Sequence, residues 1–243
     1  MNKPVALFDI GGTMFPSGSD IGLIDAHIQD GLMSGDVRDQ VEDILGNYGD
    51  QSLPYEAMVR KLMSTYASGL KDISVDRLQA STDQFFEQPD FFGYVEPTIE
   101  FLSPTHEVVL VTGSSQFTAG AIAKFFNVNK ILSTKLEVSS GALTGEVDSY
   151  LATRDEKTKA ISELDLDGSF GFGDSEGDIG LLRAVDFAVC IQPTAGLAEI
   201  ANQEKWAIVN SQEDLAAKNG LHIVRLALAD HNNSTVVHNS IEI

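Results

Sequence analysis

Short apolar runs alternate with stretches of helical periodicity along most of the chain. Between the runs, Phe117, Ala121, Ile122 and Phe125 recur at the spacing of one helix face. A strand that is covered on both faces is apolar throughout, so this alternation predicts an α/β fold with a doubly wound parallel sheet. The runs that we assign to its strands are 5–8, 108–111, 170–172, 187–191 and 207–209.

The segment 17–94 has a helical pattern only. Its apolar positions form two helical stripes, which are Val37, Val41, Ile44, Leu45 and Tyr48, and then Met58, Val59, Leu62, Met63 and Tyr66. Pro54 precedes the second stripe and Gly69 follows it, as is common where helices begin and end. Because no strand-like run interrupts the stripes, the segment is predicted to be a helical insertion after the first strand.

The rest of the chain is assigned to one α/β core and a tail. The core comprises residues 1–16 and 95–230, on either side of the insertion. Within it, alternation over 135–147 around Ser139-Ser140-Gly141 predicts a β-hairpin. The segment 231–243 is polar and is predicted to be a C-terminal tail.

The charge balance restricts the partners of the protein. Its 243 residues include 16 Lys and Arg against 36 Asp and Glu, which gives a net charge of −20. Such a surface repels nucleic-acid backbones and anionic membranes, so we expect neither as a partner. The same acidity is also found in proteins of salty cells, and the composition leaves that alternative open.

Cysteine usage and the N-terminus indicate a cytoplasmic protein. A single cysteine, Cys190, excludes internal disulfides and metal sites built from cysteine. No signal-peptide pattern follows Met1, and no apolar run approaches the roughly 18 residues of a membrane span.

Acidic residues follow two of the predicted strands. Asp9 comes directly after the first strand, and Asp174 and Asp178 lie in Gly173-Asp174-Ser175-Glu176-Gly177-Asp178 after the strand 170–172. The carboxyl ends of parallel strands meet at one edge of a sheet, where ligands bind. Magnesium prefers oxygen ligands and keeps several waters, so Asp9, Asp174 and the carbonyl of Gly11 could hold it. Asp178 could hold a metal-bound water or orient the loop, although Asp174 and Asp178 could also merely cap a helix.

Hydrogen-bond donors for a phosphoryl group are predicted at the same edge. Thr112 ends the strand 108–111 and is followed by Gly113, Ser114 and Ser115, whose hydroxyl and N–H groups suit phosphoryl oxygens. Ser114 and Ser115 could instead serve only as helix N-caps. Lys157 or Lys159, near the start of the next helix, could neutralise the phosphate, or either could be a solvated surface lysine.

The order of these four elements resembles the haloacid dehalogenase superfamily, whose first motif is Asp-x-Asp-Gly-Thr. The hairpin at 143–146, the segment 156–161 and Gly171-Phe172-Gly173-Asp174-Ser175 look like its phosphoserine-phosphatase-like branch, which has a helical cap. The resemblance implies that 17–94 is this cap and that Asp9 is the nucleophile of a hydrolase that forms an aspartyl phosphate.

The resemblance also implies the ligands of the site. Thr112, Gly113 and Lys157 would bind the phosphoryl group of a small phosphorylated metabolite, and Lys157 fits the branch better than Lys159. Asp9, Gly11, Asp174 and Asp178 would form the magnesium site.

The first motif departs from the family at one position. Gly11 replaces the second aspartate, which in the family protonates the leaving alcohol and activates water. General acid–base catalysis contributes about 10²–10⁴ in rate. The chain is therefore expected to be a slow phosphatase, a phosphate-ligand binding protein with little or no activity, or an enzyme of phosphoryl transfer or another reaction that needs no acid.

Asp9-Ile10-Gly11-Gly12-Thr13 also resembles the phosphate loop of sugar kinases in the actin-like ATPase superfamily. That fold needs a second nucleotide-binding half, and the sequence contains no internal repeat that would supply one.

Overall fold

A computed structural model describes residues 3–16, 19–50 and 52–234 of the protein. Its strands are β1 (Val5–Phe8), β2 (Glu107–Ser115), β3 (Lys130–Ser139), β4 (Ala142–Ser149), β5 (Phe170–Gly173), β6 (Phe187–Ile191) and β7 (Ala207–Val209). Its helices are α1 (Ser19–Gln29), α2 (Asp36–Gly49), α3 (Tyr55–Gly69), α4 (Val75–Phe85), α5 (Val95–Leu102), α6 (Gln116–Phe125), α7 (Arg154–Ile161), α8 (Ile179–Ala184), α9 (Ala195–Glu204), α10 (Gln212–Leu215) and α11 (Gly220–Ser234).

In this part of the chain, seven strands form one sheet in the order β4-β3-β2-β1-β5-β6-β7. All neighbours pair in parallel except β3 and β4, which form the predicted antiparallel hairpin. The α/β fold with a doubly wound, mostly parallel sheet is therefore confirmed. The strand order reverses at the β1–β5 pair, which is where such sheets open a crevice for ligands beyond their carboxyl ends.

Helices cover both faces of the sheet. Along β1, Ala6 and Phe8 face one side, where they pack with residues of α5, α6 and α11. Val5 and Leu7 face the opposite side, where they pack with residues of α7, α8 and α9. Because side chains alternate along a strand, burial on both sides requires the uninterrupted apolar run that the sequence contains.

The helices α1–α4 lie between β1 and α5 and are called the inserted helices below. They bury a third apolar cluster that includes Ile24, Val41 and Leu70, and this cluster also contains Phe117 of α6 and Leu136 of β3. The inserted helices therefore pack against the α6 and β3 side of the sheet. As predicted, α3 begins directly after Pro54 and ends at Gly69.

Several boundaries differ from the sequence prediction. β2 continues through Ser115, so Thr112 lies within the strand rather than at its end. α11 continues to Ser234, four positions into the segment 231–243 that was predicted to be a tail; residues 235–243 lie outside the described residues. None of the described helices is both long and apolar enough to cross a lipid bilayer.

Candidate active site

Three carboxylates converge at the point where the strand order reverses. Asp9 follows β1, Asp174 follows β5, and Asp178 ends the 3₁₀ turn Glu176–Asp178. Oxygen atoms of all three carboxylates lie within 4.8 Å of one another, and all three residues are buried. The cluster forms because β1 and β5 are adjacent parallel strands, with Phe8 level with Phe172.

Lys157 supplies the positive charge of the cluster. Its Nζ atom lies 2.6 Å from Oδ1 of Asp9 and 2.6 Å from Oδ1 of Asp178. Burial alone would lower the pKa of Lys157, but the carboxylates of Asp178 and Asp9 raise it above its usual value. Lys159, the alternative lysine on α7, is exposed to solvent. The structure therefore brings Lys157, and not Lys159, to the carboxylates.

One lysine does not balance three carboxyl groups. Burial raises the pKa of Asp9, and the charge of Asp178 adds to this shift while the ammonium group of Lys157 opposes it; together they raise the pKa to about 7. Burial and the charges of Asp9 and Asp178 also raise the pKa of Asp174 well above its usual value. A buried group of oxygen ligands with excess negative charge fits a hard divalent cation such as Mg²⁺.

Asp178 organises the loop that follows β5. Its Oδ2 atom accepts hydrogen bonds at 3.1 Å from the backbone N–H groups of Asp174 and Ser175 and from the Ser175 hydroxyl. Its Oδ1 atom accepts from Lys157. Both oxygens are therefore engaged, and Asp178 holds the positions of Asp174 and Lys157 together.

β2 pairs in parallel with β1, so Thr112 and the two residues after it lie at the same edge of the sheet as Asp9. The buried hydroxyl of Thr112 accepts a hydrogen bond from the N–H of Ser114 at 3.1 Å. The register between β2 and β3 shifts between Thr112 and Ser115, so the strand bulges here. Ser115 is the N-cap of α6, as one of the alternatives predicted, and accepts from the N–H of Thr118.

Gly11 lies in the turn that follows Asp9. Its neighbour Gly12 has a φ of 76°, in the left-handed region that favours glycine, whereas Gly11 does not. Thr13 closes the turn by donating from its hydroxyl to Oδ2 of Asp9 at 3.3 Å. Gly11 itself lines the cavity above Asp9 without a side chain.

A cavity of about 360 Å³ rises from the carboxylates between the sheet edge and the inserted helices. Asp9, Lys157 and Asp174 are at its floor, together with Thr112 and Ser114. Its volume is within the range of small-molecule sites in proteins. The arrangement therefore combines a polar floor with a partly open space for the rest of a ligand.

Tyr55 was not predicted as a site residue. Its hydroxyl lies 2.9 Å from Oγ of Ser175, so it joins the start of α3 to the loop after β5. Burial raises the pKa of Tyr55, and the charge of Asp178 adds to this shift. Tyr48 packs edge-on against it, with ring centres 6.2 Å apart. Tyr48 was part of a predicted apolar stripe, but nothing in the sequence singled out Tyr55.

Comparisons with known proteins find a matching family model and several similar proteins. A family model described as haloacid dehalogenase-like hydrolase matches residues 6–183. A histidinol-phosphatase of Neisseria meningitidis is 23% identical over 227 residues, which cover 86% of this chain and 99% of that protein. A probable phosphatase of Mycobacterium tuberculosis is 30% identical over 110 residues, 43% of this chain and 38% of that protein.

Solved structures share the fold. A protein of unknown function from Bordetella pertussis has a TM-score of 0.71 at 24% identity, covering 86% of this chain and 99% of that one. A phospho-aspartyl intermediate analogue of phosphoserine phosphatase has a TM-score of 0.63 at 18% identity, covering 93% of this chain and 99% of that one. At these identities the likeness concerns the fold alone.

Proposed function

The chain belongs to the haloacid dehalogenase-like hydrolase family, and we propose that it hydrolyses small phosphate monoesters with Asp9 as the nucleophile. The observation that most directly supports this proposal is the position of Asp9 at the floor of the cavity, with Lys157 on Oδ1. In this proposal the residues 17–94 act as a cap over a core of 1–16 and 95–230.

The floor of the cavity offers donors to a phosphoryl group. Lys157 provides a fixed positive charge, and the Thr112 hydroxyl with the N–H group of Gly113 provides uncharged donors. These groups would hold the phosphorus atom in front of the Asp9 carboxylate. Positioning of this kind supplies much of the rate of phosphoryl transfer.

Hydrolysis would take place in two steps. A carboxylate oxygen of Asp9 forms a bond to phosphorus as the bond from phosphorus to the alcohol oxygen breaks, which gives an aspartyl phosphate and an alkoxide. Water then attacks the phosphorus atom, so that inorganic phosphate leaves and the Asp9 carboxylate is restored. The alkoxide must gain a proton in the first step, and the attacking water must lose one in the second.

Magnesium is the cofactor that this site fits. Asp9, Asp174 and the carbonyl of Gly11 would hold it, and Asp178 would orient the loop around it. When bound, it would neutralise the charge of the carboxylates and of the phosphoryl oxygens.

Gly11 supports a second candidate function. A glycine at this position cannot transfer a proton, which would cost about 10²–10⁴ in rate if no other group replaces it. This favours slow hydrolysis, and it also leaves room for a protein that binds a phosphate ligand with little or no turnover. Phosphoryl transfer to an acceptor other than water remains the third candidate.

A comparison of wild type with Asp9→Asn tests the proposal. Release of phosphate from a panel of esters is measured with and without magnesium, and beryllofluoride is used as a mimic of the aspartyl phosphate. We expect magnesium-dependent turnover and beryllofluoride binding in the wild type only, because an amide is not an anionic nucleophile. Equal turnover by the two proteins would refute the covalent mechanism, and beryllofluoride binding without turnover would favour the binding protein.

A further inference from the structure

The cavity above Asp9 has a long apolar wall on α3. From Tyr55 to Tyr66 this helix turns one face towards the cavity, and Met58, Leu62 and Met63 lie on that face. At about 1.5 Å per residue, the stretch 55–66 spans about 16 Å. The second predicted apolar stripe therefore lines an open space along most of its length.

The walls opposite α3, on α1 and α2, are also apolar. α2 contributes Val41, Leu45 and Tyr48, and α1 contributes Ile21 and Ile24. Among the described residues that line the cavity, the charged side chains are those of Asp9, Lys157 and Asp174, all at its floor. Most of the other lining side chains are apolar or aromatic, and the hydroxyl groups of Ser115 and Thr118 are bonded to each other.

The far end of α3 adds no free charge. The hydroxyl of Tyr66 lies 3.1 Å from Nε2 of His27, whose other ring nitrogen lies 3.0 Å from Oγ of Ser81. Burial lowers the pKa of His27 to about 4, so this ring is neutral near pH 7. A charged group of a ligand would lose its hydration here, and the carboxylate behind His27, that of Asp30, is already bonded to Oγ of Ser81 at 2.6 Å.

We infer that the alcohol released at Asp9 is uncharged and apolar, with an alkyl or aryl group that lies between α2 and α3. This inference rests on the proposed phosphatase function and adds the substrate class to it. The polar floor binds the phosphoryl group, while the apolar walls select the alcohol and exclude phosphates of amino alcohols and amino acids.

A series of n-alkyl phosphates from ethyl to hexyl tests the inference on the magnesium-loaded enzyme. The members have nearly the same leaving-group basicity, so the series changes mainly the apolar area. We expect kcat/KM to rise about two- to fourfold with each added methylene until the cavity is filled. A series with constant or falling kcat/KM would overturn the inference.

Pentyl phosphate and 4-aminobutyl phosphate form a matched pair, since an ammonium group replaces the terminal methyl group. We expect pentyl phosphate to have a kcat/KM higher by about a hundredfold, because the walls do not compensate a buried ammonium. Rings of tyrosines can also attract cations. A preference for the amine would show that Tyr48, Tyr55 and Tyr66 act in that way, and it would overturn the inference.

Leu45 and Ile44 offer matched variants on α2. Both are half-buried, but only Leu45 is among the lining residues. In Leu45→Asn, kcat/KM should rise less with alkyl chain length than in the wild type, while in Ile44→Asn it should rise as in the wild type. Equal slopes in the two variants would contradict the assigned wall, and the two substrate tests on the wild type hold even if Leu45→Asn fails to fold.

Binding of alkylphosphonates separates the two proposals, because these compounds are not hydrolysed. If no ester is turned over, the phosphatase proposal fails, and phosphonate affinity alone decides the nature of the walls. Affinity that rises from ethyl- to hexylphosphonate supports an apolar ligand. Affinity that does not rise with chain length overturns the inference.

Discussion

The Nζ atom of Lys157 lies 2.6 Å from Oδ1 of Asp9, although 148 positions separate the two residues in the sequence. The same atom bonds Asp178, so one ammonium group joins the residue after β1 to the turn after β5. Among the described residues that line the cavity, Lys157 is the one cation. The charge balance of the site therefore depends on this side chain.

Replacing Lys157 by methionine should affect both stability and activity. Lys157→Met leaves the buried carboxylates of Asp9 and Asp178 without their cation, which should cost about 3–5 kcal/mol of unfolding free energy. Phosphate release should be lost, since the phosphoryl group loses its fixed charge. Urea unfolding and the ester assay measure the two effects. Lys159→Met, on the exposed face of α7, is the control; similar losses in both variants would contradict the assignment.

Asp174→Asn should stabilise the metal-free protein and abolish its response to magnesium. The raised pKa of Asp174 shows that its ionised form is unfavourable in the buried cluster. Removing the charge should therefore increase the unfolding free energy at pH 7. Thermal melts with and without magnesium measure both effects, and the exposed Asp167→Asn is the control. A variant that magnesium still stabilises as much as the wild type would exclude Asp174 as a ligand.

Local sequence patterns were sufficient to predict the sheet and the acidic residues at the carboxyl ends of its strands. Asp9 and Asp174 follow apolar runs, and adjacent parallel strands must bring their carboxyl ends together. Thr112 was misplaced at a strand end because Gly113-Ser114-Ser115 has the composition of a turn. Instead, β2 continues, with Thr112 opposite Ser133 and Ser115 opposite Thr134. Pairing with β3 is a long-range interaction that the residues of β2 do not indicate.

The lysine and the cavity depend on packing. Lys157 and Lys159 differ by two positions, or about 200° around a helix, so only the face of α7 that meets the sheet separates them. Sequence resemblance, rather than residue type, favoured Lys157. The stripes on α2 and α3 are equally compatible with tight packing and with an open space. Which one forms depends on how far the helices stand apart, and this is set by the whole fold.

His27 should make folding stability depend on pH. Burial lowers its pKa from 6.5 to about 4, although the charge of Asp30 opposes the shift. The unfolded chain therefore binds a proton near pH 6.5 while the folded protein does not. Above pH 6.5, His27 is neutral in both states and does not affect the stability. As the pH falls below 6.5, the unfolding free energy decreases, by about 2 kcal/mol at pH 5.

Urea unfolding of wild type and His27→Gln between pH 7.5 and pH 4.5 measures this effect. The difference between the two curves isolates His27 from the carboxylates, which titrate in both proteins. We expect the variant to lose less stability than the wild type as the pH falls. Parallel curves would show that His27 does not titrate differently in the folded and unfolded states.

Gly11→Asp should increase the rate of a slow phosphatase. Gly11 lines the cavity beside Asp9, and its backbone is outside the left-handed region, so it can accept a side chain without backbone strain. A carboxyl group here could protonate the leaving oxygen. We expect kcat to rise about 10²–10⁴-fold for alkyl phosphates. The increase should be much smaller for p-nitrophenyl phosphate, whose leaving group needs little protonation.

Gly11→Asn is the matched control, because it adds a side chain of the same size that cannot transfer a proton. It should not reproduce the increase. No increase for alkyl phosphates with Gly11→Asp would mean that another group already transfers the proton, or that the site is not a phosphatase. An equal increase for both substrate classes would show that the new side chain acts through folding or metal affinity. Proton transfer alone predicts that the benefit grows with the basicity of the leaving group.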